Sequence, residues 1–434
     1  MIFESVEDMI GNTPLLKIDA AVHGIPHLTV YAKLEMMNPF GSVKDRIAKS
    51  MLLPHLEEIK RAKKTVIESS SGNTAKALAV LCAKNDIPFQ IISNRIKVNE
   101  TRDVLKSLKT KIVELPGSSE CPDPNNPKDP LAIIEDLLRT SKEKYHHTDQ
   151  YFNQQNISAH RDSGKEIASD LKQVDFLFAD LGTCGTSVGI GGYLREHQDK
   201  PVKIIGVITT EGNYVPGGRN ENELYETGFY DPQFYDGLAK ASTEEAIKGM
   251  RTLNLKAGLL CGPTTGLVFT SMRQWFTANP LTTEAVAVFV ACDRAEPYTT
   301  FLKKYLPELF SEHKRPETIT EEMLASTPDI TPGALETLSQ PMVVDIRTHF
   351  AYAMGHIENS VNISEHLLEE MILNGPSFPN STIVVVCPVG RISRKYAARL
   401  RQQGYDARTL AGGLQNWTQS GKKLHQGLCA HKHD

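Results

Sequence analysis

The sequence predicts an α/β chain built as two unequal domains. Three observations carry this. From the start to about residue 310, short β-branched runs alternate with helical patterns. The texture then turns polar and proline-bearing over SEHKRPETITEEMLASTPD, from Ser311 to Asp329. A second, shorter set of β-branched runs follows. Strands separated by helices imply βαβ units and mainly parallel sheets with helices on both faces.

In chain order, TVIES (65–69) and FQIIS (89–93) read as buried strands, with AKALAVLCAKN (75–85) as the helix between them. DFLFADL (175–181), VKIIGVIT (202–209) and AVAVFVAC (285–292) are further strands. These runs define a first domain over 1–310. The polar stretch 311–327 reads as a linker with one short helix. Beyond it, PMVVDIR (341–347) and STIVVVC (381–387) are bounded by turn residues, and KYAARLRQQGY (395–405) is an amphipathic helix ending at Gly404. They define a smaller α/β domain over 328–422. The tail, 423–434, is expected to lack structure.

Composition narrows the function classes. The 434 residues are 40% hydrophobic and 23% charged, ordinary values for a globular protein. The formal net charge is −4, without long like-charge runs, so nothing argues for nucleic acid or an anionic membrane surface as a partner. No apolar run approaches the roughly 18–20 residues of a membrane span. The opening MIFESVEDMIGNTPLL is acidic and unlike a signal peptide. The seven cysteines are scattered, odd in number and form no CxxC pair, which predicts a reducing, cytoplasmic setting rather than a disulfide framework. His425, Cys429, His431 and His433 fall close together, but their spacing matches no standard zinc pattern, and no metal is expected.

Three segments carry the chemistry of the first domain. NPFGSVKDR (38–46) places Lys44 just after a Gly-Ser turn. ESSSGNTAKALA (68–79) follows a strand and opens a helix, so Ser70, Ser71, Gly72, Asn73 and Thr74 offer hydroxyls, an amide and backbone N–H groups suited to a carboxylate. LGTCGTSVGIGG (181–192) also follows a strand. There Gly182, Thr183, Cys184, Gly185 and Thr186 can wrap a phosphate at a helix start. The competing dinucleotide reading lacks its acidic residue, because VITT (207–210) stands where it belongs.

Together these segments resemble the fold-type II pyridoxal-phosphate enzymes, the cysteine synthase and cystathionine β-synthase family, over roughly residues 5–305. GNTPLLKI (11–18) matches the family's opening signature. The resemblance implies two α/β subdomains of the tryptophan synthase β-like type, pyridoxal 5′-phosphate as cofactor, a small amino-acid substrate and a homodimer. It makes Lys44 the Schiff-base lysine and Asn73 the partner of the cofactor's 3′-oxygen. It assigns Ser70, Ser71 and Thr74 to the substrate carboxylate and the 182–186 loop to the phosphate. DQYFNQQNISAH (149–160) brings Gln150 to the same carboxylate, and CGPTTG (261–266) brings Thr264 to the pyridine nitrogen. A lysine amine can bind the cofactor aldehyde and then remove a substrate α-proton. A hydroxyl at the ring nitrogen favours loss of a β-substituent over transamination. The chain departs from the family pattern at Cys184, at Ala75, at Thr264 and Thr265, and across YVPGGRNENELYETGFYDPQFYD (214–236), which covers the pocket in the family.

In the second domain Cys387 ends a strand and opens CPVGRIS, comprising Pro388, Val389, Gly390, Arg391, Ile392 and Ser393 before a helix. A thiol ringed by N–H groups at a helix start favours the thiolate, a nucleophile toward sulfane sulfur. VVDIRTHFAYAMGHIENSVNI (343–363), CPVGRIS and LAGGLQNW (410–417) resemble the rhodanese family. Asp345, Arg347, Gly355, His356, Gly412, Gly413 and Trp417 fall on its framework positions. Asp345 and Arg347 read as structural. Many rhodaneses have arginine immediately before the loop's closing serine, where this chain has Ile392.

The fusion implies a β-replacement on an activated serine, with a Cys387 persulfide as sulfur donor and cysteine or a related thiol amino acid as product. A tether holds one site at an effective concentration on the order of millimolar at the other, if the linker spans them. Three alternatives stay open: a cysteine desulfhydrase passing sulfur to Cys387, an amine β-replacement of the diaminopropionate type, and a sulfur-sensing module without transfer.

Overall fold

The computed structural model describes residues 2–94, 96–115, 128–224, 228–310, 319–373, 378–379 and 381–427. The chain divides into two compact units, Met1–Leu306 and Pro307–Asp434.

The first unit holds two sheets. The larger has the spatial order Leu15–Ile18, Leu28–Lys33, Ala285–Val290, Phe176–Asp180, Lys203–Thr209 and Gly237–Ala241. Only its first pair is antiparallel. The smaller has the order Lys111–Leu115, Phe89–Asn94, Thr65–Glu68 and Tyr145–His147, all parallel. Strands buried on both faces read as continuous apolar runs, which is why FLFAD, KIIGVIT and AVAVFV were recognisable. The helix Asn73–Lys84 buries Ala77, Leu78, Leu81 and Cys82 against Val66, Phe89 and Ile91. On the helix Pro263–Ala278, Trp275 meets Phe178 edge-on at 6.5 Å. It also lies over the strand Gly237–Ala241, where a Cβ on Gly237 would come within 2.4 Å of its ring.

The second unit is a five-stranded parallel sheet in the order Asp329–Ile330, Ala407–Leu410, Ile383–Val386, Met342–Asp345 and Val361–Asn362. Trp417 is buried here and donates Nε1–H to the Lys423 carbonyl at 3.0 Å. Arg347 is bound to Asp345 at 2.7 Å and to the Gly355 carbonyl at 2.6 Å, a framework contact as the sequence implied.

The polar stretch contains one short helix, Glu321–Ser326, as the sequence reading expected, and Arg394 ties its end down through the Thr327 carbonyl (3.0 Å) and the Asp329 carboxylate (2.5 Å). One detail differs from that reading. The start of the tail is held rather than loose. His356 and His425 exchange backbone hydrogen bonds of 2.9 and 2.8 Å, and Gly427 N–H donates to the Ala353 carbonyl at 3.0 Å. Backbone pairing of this kind needs no side-chain pattern, so composition alone could not reveal it. Cys121, Cys429, His431 and His433 lie outside the described residues. Among the described residues no helix is long and apolar enough to cross a membrane.

Candidate active site

The carboxyl ends of parallel strands converge on one cavity in the first unit, as open α/β sheets dictate. Lys44, Ser70, Ser71, Asn73, Thr74, Gln150, Gly182, Thr183 and Thr264 all line it. Cys184, Gly185 and Thr186 run behind that wall as the start of the helix Gly185–His197.

Lys44 opens the helix Lys44–Leu52 and is half-buried; among the described residues its amine has no hydrogen-bond or ion-pair partner. Its loop is fixed from below. Asp45 accepts from Phe40 N–H (2.6 Å) and the Ser42 hydroxyl (3.1 Å), and Val43 N–H donates to the Cys292 carbonyl (2.7 Å). Burial pushes the Asp45 carboxyl up to about 7, against the pull of the Phe40 N–H.

Glu68, fully buried at a strand end, joins two cavity segments. It accepts from Ser69 N–H (2.8 Å), the Thr148 hydroxyl (2.5 Å) and Gln150 N–H (3.2 Å). Across the same junction, the Thr74 hydroxyl donates to Gln150 Oε1 at 2.7 Å, and Gln150 Nε2–H donates to the Ser69 carbonyl at 2.5 Å. The Ser-Gly-Asn-Thr loop and Gln150 are thus one assembly.

Cys184 takes a left-handed conformation (φ 67°) before the helix Gly185–His197, and the first-turn N–H groups of that helix have no intrahelical acceptors. Its thiol packs with Leu181 and Ile208, and burial raises its pKa, so it behaves as an apolar side chain. Asn156 donates to the Gln150 carbonyl (2.7 Å) and Thr183 Oγ1 (3.1 Å). Gly185 is required beside it, because a Cβ there would stand 2.0 Å from Asn156 Oδ1. Thr186 Oγ1 lies 3.2 Å from His160 Nε2; burial, with Lys44 and Arg46 nearby, holds that imidazole neutral. The Thr264 hydroxyl donates to the Pro216 carbonyl at 2.9 Å, which leaves its oxygen as an acceptor.

Sequence reasoning missed Asp180, Cys292, Asp293 and Tyr298, which also line the cavity. The Cys292 thiol donates to Asp180 Oδ1 at 3.0 Å, and burial raises its pKa well above the ordinary thiol range. The missed signal was positional. Asp180, Cys292 and Asp293 stand at or just past the carboxyl ends of buried parallel strands.

In the second unit, Cys387 is 2% exposed at the end of Ile383–Val386. Its sulfur accepts from Gly390 N–H (3.2 Å), Ser393 N–H (3.3 Å) and the Ser393 hydroxyl (3.2 Å). The Thr409 hydroxyl, 2.7 Å from Ser393 Oγ, can donate to it, which leaves the Ser393 proton for the sulfur or for the Gly390 carbonyl at 3.1 Å. Gly390 and Gly413 both have positive φ, and a Cβ on Gly413 would come within 2.3 Å of the Cys387 carbonyl. Val389, Arg391 and Ile392 are exposed around the loop, and Pro388 accepts from Gln415 N–H through its carbonyl at 3.0 Å.

Residues 6–293 match the model of the pyridoxal-phosphate dependent enzymes, and residues 331–420 match the rhodanese-like domain. Cysteine synthase B of Escherichia coli is 31% identical over 304 residues, covering 68% of this chain and 94% of that protein. Cystathionine beta-synthase of Saccharomyces cerevisiae is 31% identical over 322 residues, covering 68% and 62%. Among solved structures, a hydrogen sulfide-producing enzyme from Fusobacterium nucleatum superposes with a TM-score of 0.58 at 29% identity, covering 68% of this chain and all of that one.

The residues present fit the family's cofactor. An amine without a partner among the described residues faces the cavity, a helix start lies behind its wall, and a Cβ on the cavity-lining Gly72 or Gly217 would meet nothing within 4 Å. The chain therefore belongs to the pyridoxal-phosphate dependent enzymes, as a relative of cysteine synthase and cystathionine β-synthase with a C-terminal rhodanese-like domain.

Proposed function

We propose that the protein replaces the β-substituent of an activated serine, of the O-acetylserine or O-phosphoserine type, with sulfur carried as a persulfide on Cys387. The product is cysteine or a related thiol amino acid; the persulfide's terminal sulfur is at the sulfane level, so an external thiol, itself oxidised to a disulfide, supplies the two electrons that make it a thiol. One observation carries the first half: the half-buried Lys44 amine, without a partner among the described residues, faces hydroxyl and amide groups gathered from distant segments. The name of the E. coli relative supports the same chemistry.

Pyridoxal phosphate, when bound, draws electrons from the substrate Cα, so that a β-leaving group departs and a nucleophile can add. Lys44 would hold the cofactor and carry the α-proton on Nζ. Ser70, Ser71, Thr74 and Gln150 would bind the substrate carboxylate; to do so, Thr74 and Gln150 exchange their mutual hydrogen bond for the ligand. Gly182 through Thr186 would hold the phosphate, Asn73 the 3′-oxygen and Thr264 the ring nitrogen; to do so, Thr264 turns its hydroxyl proton from the Pro216 carbonyl to that nitrogen. In the second unit, the three donors around Cys387 would stabilise its thiolate and the terminal sulfur it carries.

The test supplies labelled persulfide, an external thiol and O-acetylserine or O-phosphoserine to wild type and to Cys387→Ser. The variant is expected to lose labelled thiol product while keeping synthesis from free sulfide. Equal labelled product from both proteins would sink the relay. The likeness to a hydrogen sulfide-producing enzyme favours a second reading, in which sulfur leaves cysteine as sulfide and, once a low-molecular-weight disulfide has oxidised it to the persulfide level, loads Cys387. Pyruvate formed from cysteine alone, and a Cys387 persulfide formed once a disulfide oxidant is added, would select it.

A further inference from the structure

A charged cluster that the chemistry above does not use lies behind the Gln150 wall of the cavity. Glu68 ends the strand Thr65–Glu68, is fully buried and does not itself line the cavity. Gln150 does line it, and both of its ends lead back to Glu68. Its backbone N–H donates to Glu68 Oε2 at 3.2 Å. Its side-chain Nε2–H donates to the carbonyl of Ser69, whose own N–H donates to Glu68 Oε1 at 2.8 Å. These donors and the Thr148 hydroxyl are all neutral. Hydrogen bonding alone therefore leaves a full negative charge buried behind a group assigned to an anion.

The neighbouring strand supplies the cation. Tyr145–His147 pairs with Thr65–Glu68, and His147 Nε2 stands 3.6 Å from Glu68 Oε1. That is a charge contact rather than a hydrogen bond. Nε2 is buried and has no hydrogen-bond partner among the described residues. Unprotonated, it would set its lone pair against the carboxylate, so the geometry calls for a proton there. Burial works against a charged imidazole, but Glu68 and Asp149 outweigh it and hold His147 above the ordinary histidine range. Burial also raises the Asp149 carboxyl, against the pull of His147. The next imidazole along the strand, His146, stacks on His55 with ring centroids 4.9 Å apart. Burial and His55 hold it down at about 4, so it is neutral where His147 titrates.

We propose that His147 is a positioning residue for the substrate carboxylate: acting through Glu68, its imidazolium cancels the buried charge behind Gln150 and so lets that wall accept an anion. This rests on the reading that Gln150 binds the carboxylate. Without the charge on His147, Glu68 faces the ligand as an uncompensated like charge. Affinity for a ligand carboxylate is therefore highest while His147 is protonated, and it falls as pH rises through the titration of that imidazole.

The test compares L-alanine, which has a carboxylate and no β-leaving group, with L-alaninamide, which has a neutral amide in its place. Dissociation constants are measured by calorimetry on the cofactor-loaded protein. At about pH 6, where His147 is charged, His147→Gln is expected to weaken L-alanine about tenfold, the size of one charge interaction in a partly screened interior, and to leave L-alaninamide unchanged. At about pH 9, where the imidazole is neutral, variant and wild type are expected to bind L-alanine alike. Equal losses for the two ligands, or a loss that persists at the higher pH, would overturn the proposal. Gln150→Ala separates the two readings. If it weakens L-alanine more than L-alaninamide and His147→Gln does not, the proposal falls while the placement of Gln150 stands. If neither variant discriminates between the ligands, both fall. Should His147→Gln not fold, wild type still answers. By linkage, the His147 imidazole resonance is expected to titrate at higher pH in protein saturated with L-alanine than with L-alaninamide. Equal titration would overturn the proposal.

Discussion

A methyl group on Gly185 would stand 2.0 Å from Asn156 Oδ1, and Asn156 ties Thr183 to the Gln150 backbone. Gly185→Ala must therefore push two cavity segments apart. It is expected to cost on the order of 1–3 kcal/mol, the usual range for overpacking, and to weaken cofactor retention. Denaturant unfolding checks the first effect and cofactor titration the second. Lys44→Ala is expected to abolish the covalent attachment of cofactor, read as loss of protein-bound cofactor after borohydride reduction. At this scale the sequence was informative wherever a loop brings its own residues together: Lys44, Ser70 to Thr74 and Gly182 to Thr186 are each contiguous. Asp293 and Tyr298 were not legible, because their partner Asn73 is more than 200 positions away and only the fold introduces them.

Between elements, a buried ion network does comparable work. Glu166, on the helix Gln155–Asp170, binds Arg46 of the lysine helix at 2.8 and 2.7 Å and Lys33 of a central strand at 2.6 Å. Burial pushes the Glu166 carboxyl up, but Arg46 and Lys33 together overcome this and hold it at about 2. Its folded value is thus below the unfolded value of 4.5. Its contribution is fully present above pH 4.5 and is lost as pH falls toward 2. Glu166→Gln is expected to be less stable than wild type at neutral pH and to show a flatter acid limb in urea unfolding across that window. An unchanged limb would show that the network contributes nothing. Strands and helices with a strong apolar period were readable to within a few residues. Tyr145–His147 was not, since YHH is polar and only its pairing with Thr65–Glu68 makes it a strand. The helix Arg391–Gln402 begins earlier than its apolar pattern because the left-handed Gly390 lets it start directly at the cysteine loop.

For the whole molecule, alternating runs and a polar interruption were enough to predict two α/β units. They could not order the strands. The strands Leu15–Ile18 and Leu28–Lys33 join the sheet of Phe176–Asp180 and Lys203–Thr209 only because Ala285–Val290 inserts beside Leu28–Lys33, a pairing no local pattern encodes. The first unit owns two sheets and the second one, each with its own apolar core, and each unit also owns one of the chain's two tryptophans, Trp275 or Trp417. The molecule thus carries a separate optical channel for each half. Trp417→Phe leaves fluorescence that reports only the cofactor-binding unit, and Trp275→Phe leaves only the rhodanese-like one. Cofactor at about 100 times its dissociation constant adds about 2.7 kcal/mol to the unit that binds it. The melting curve seen through Trp275 is expected to move up accordingly, while the curve seen through Trp417 stays in place.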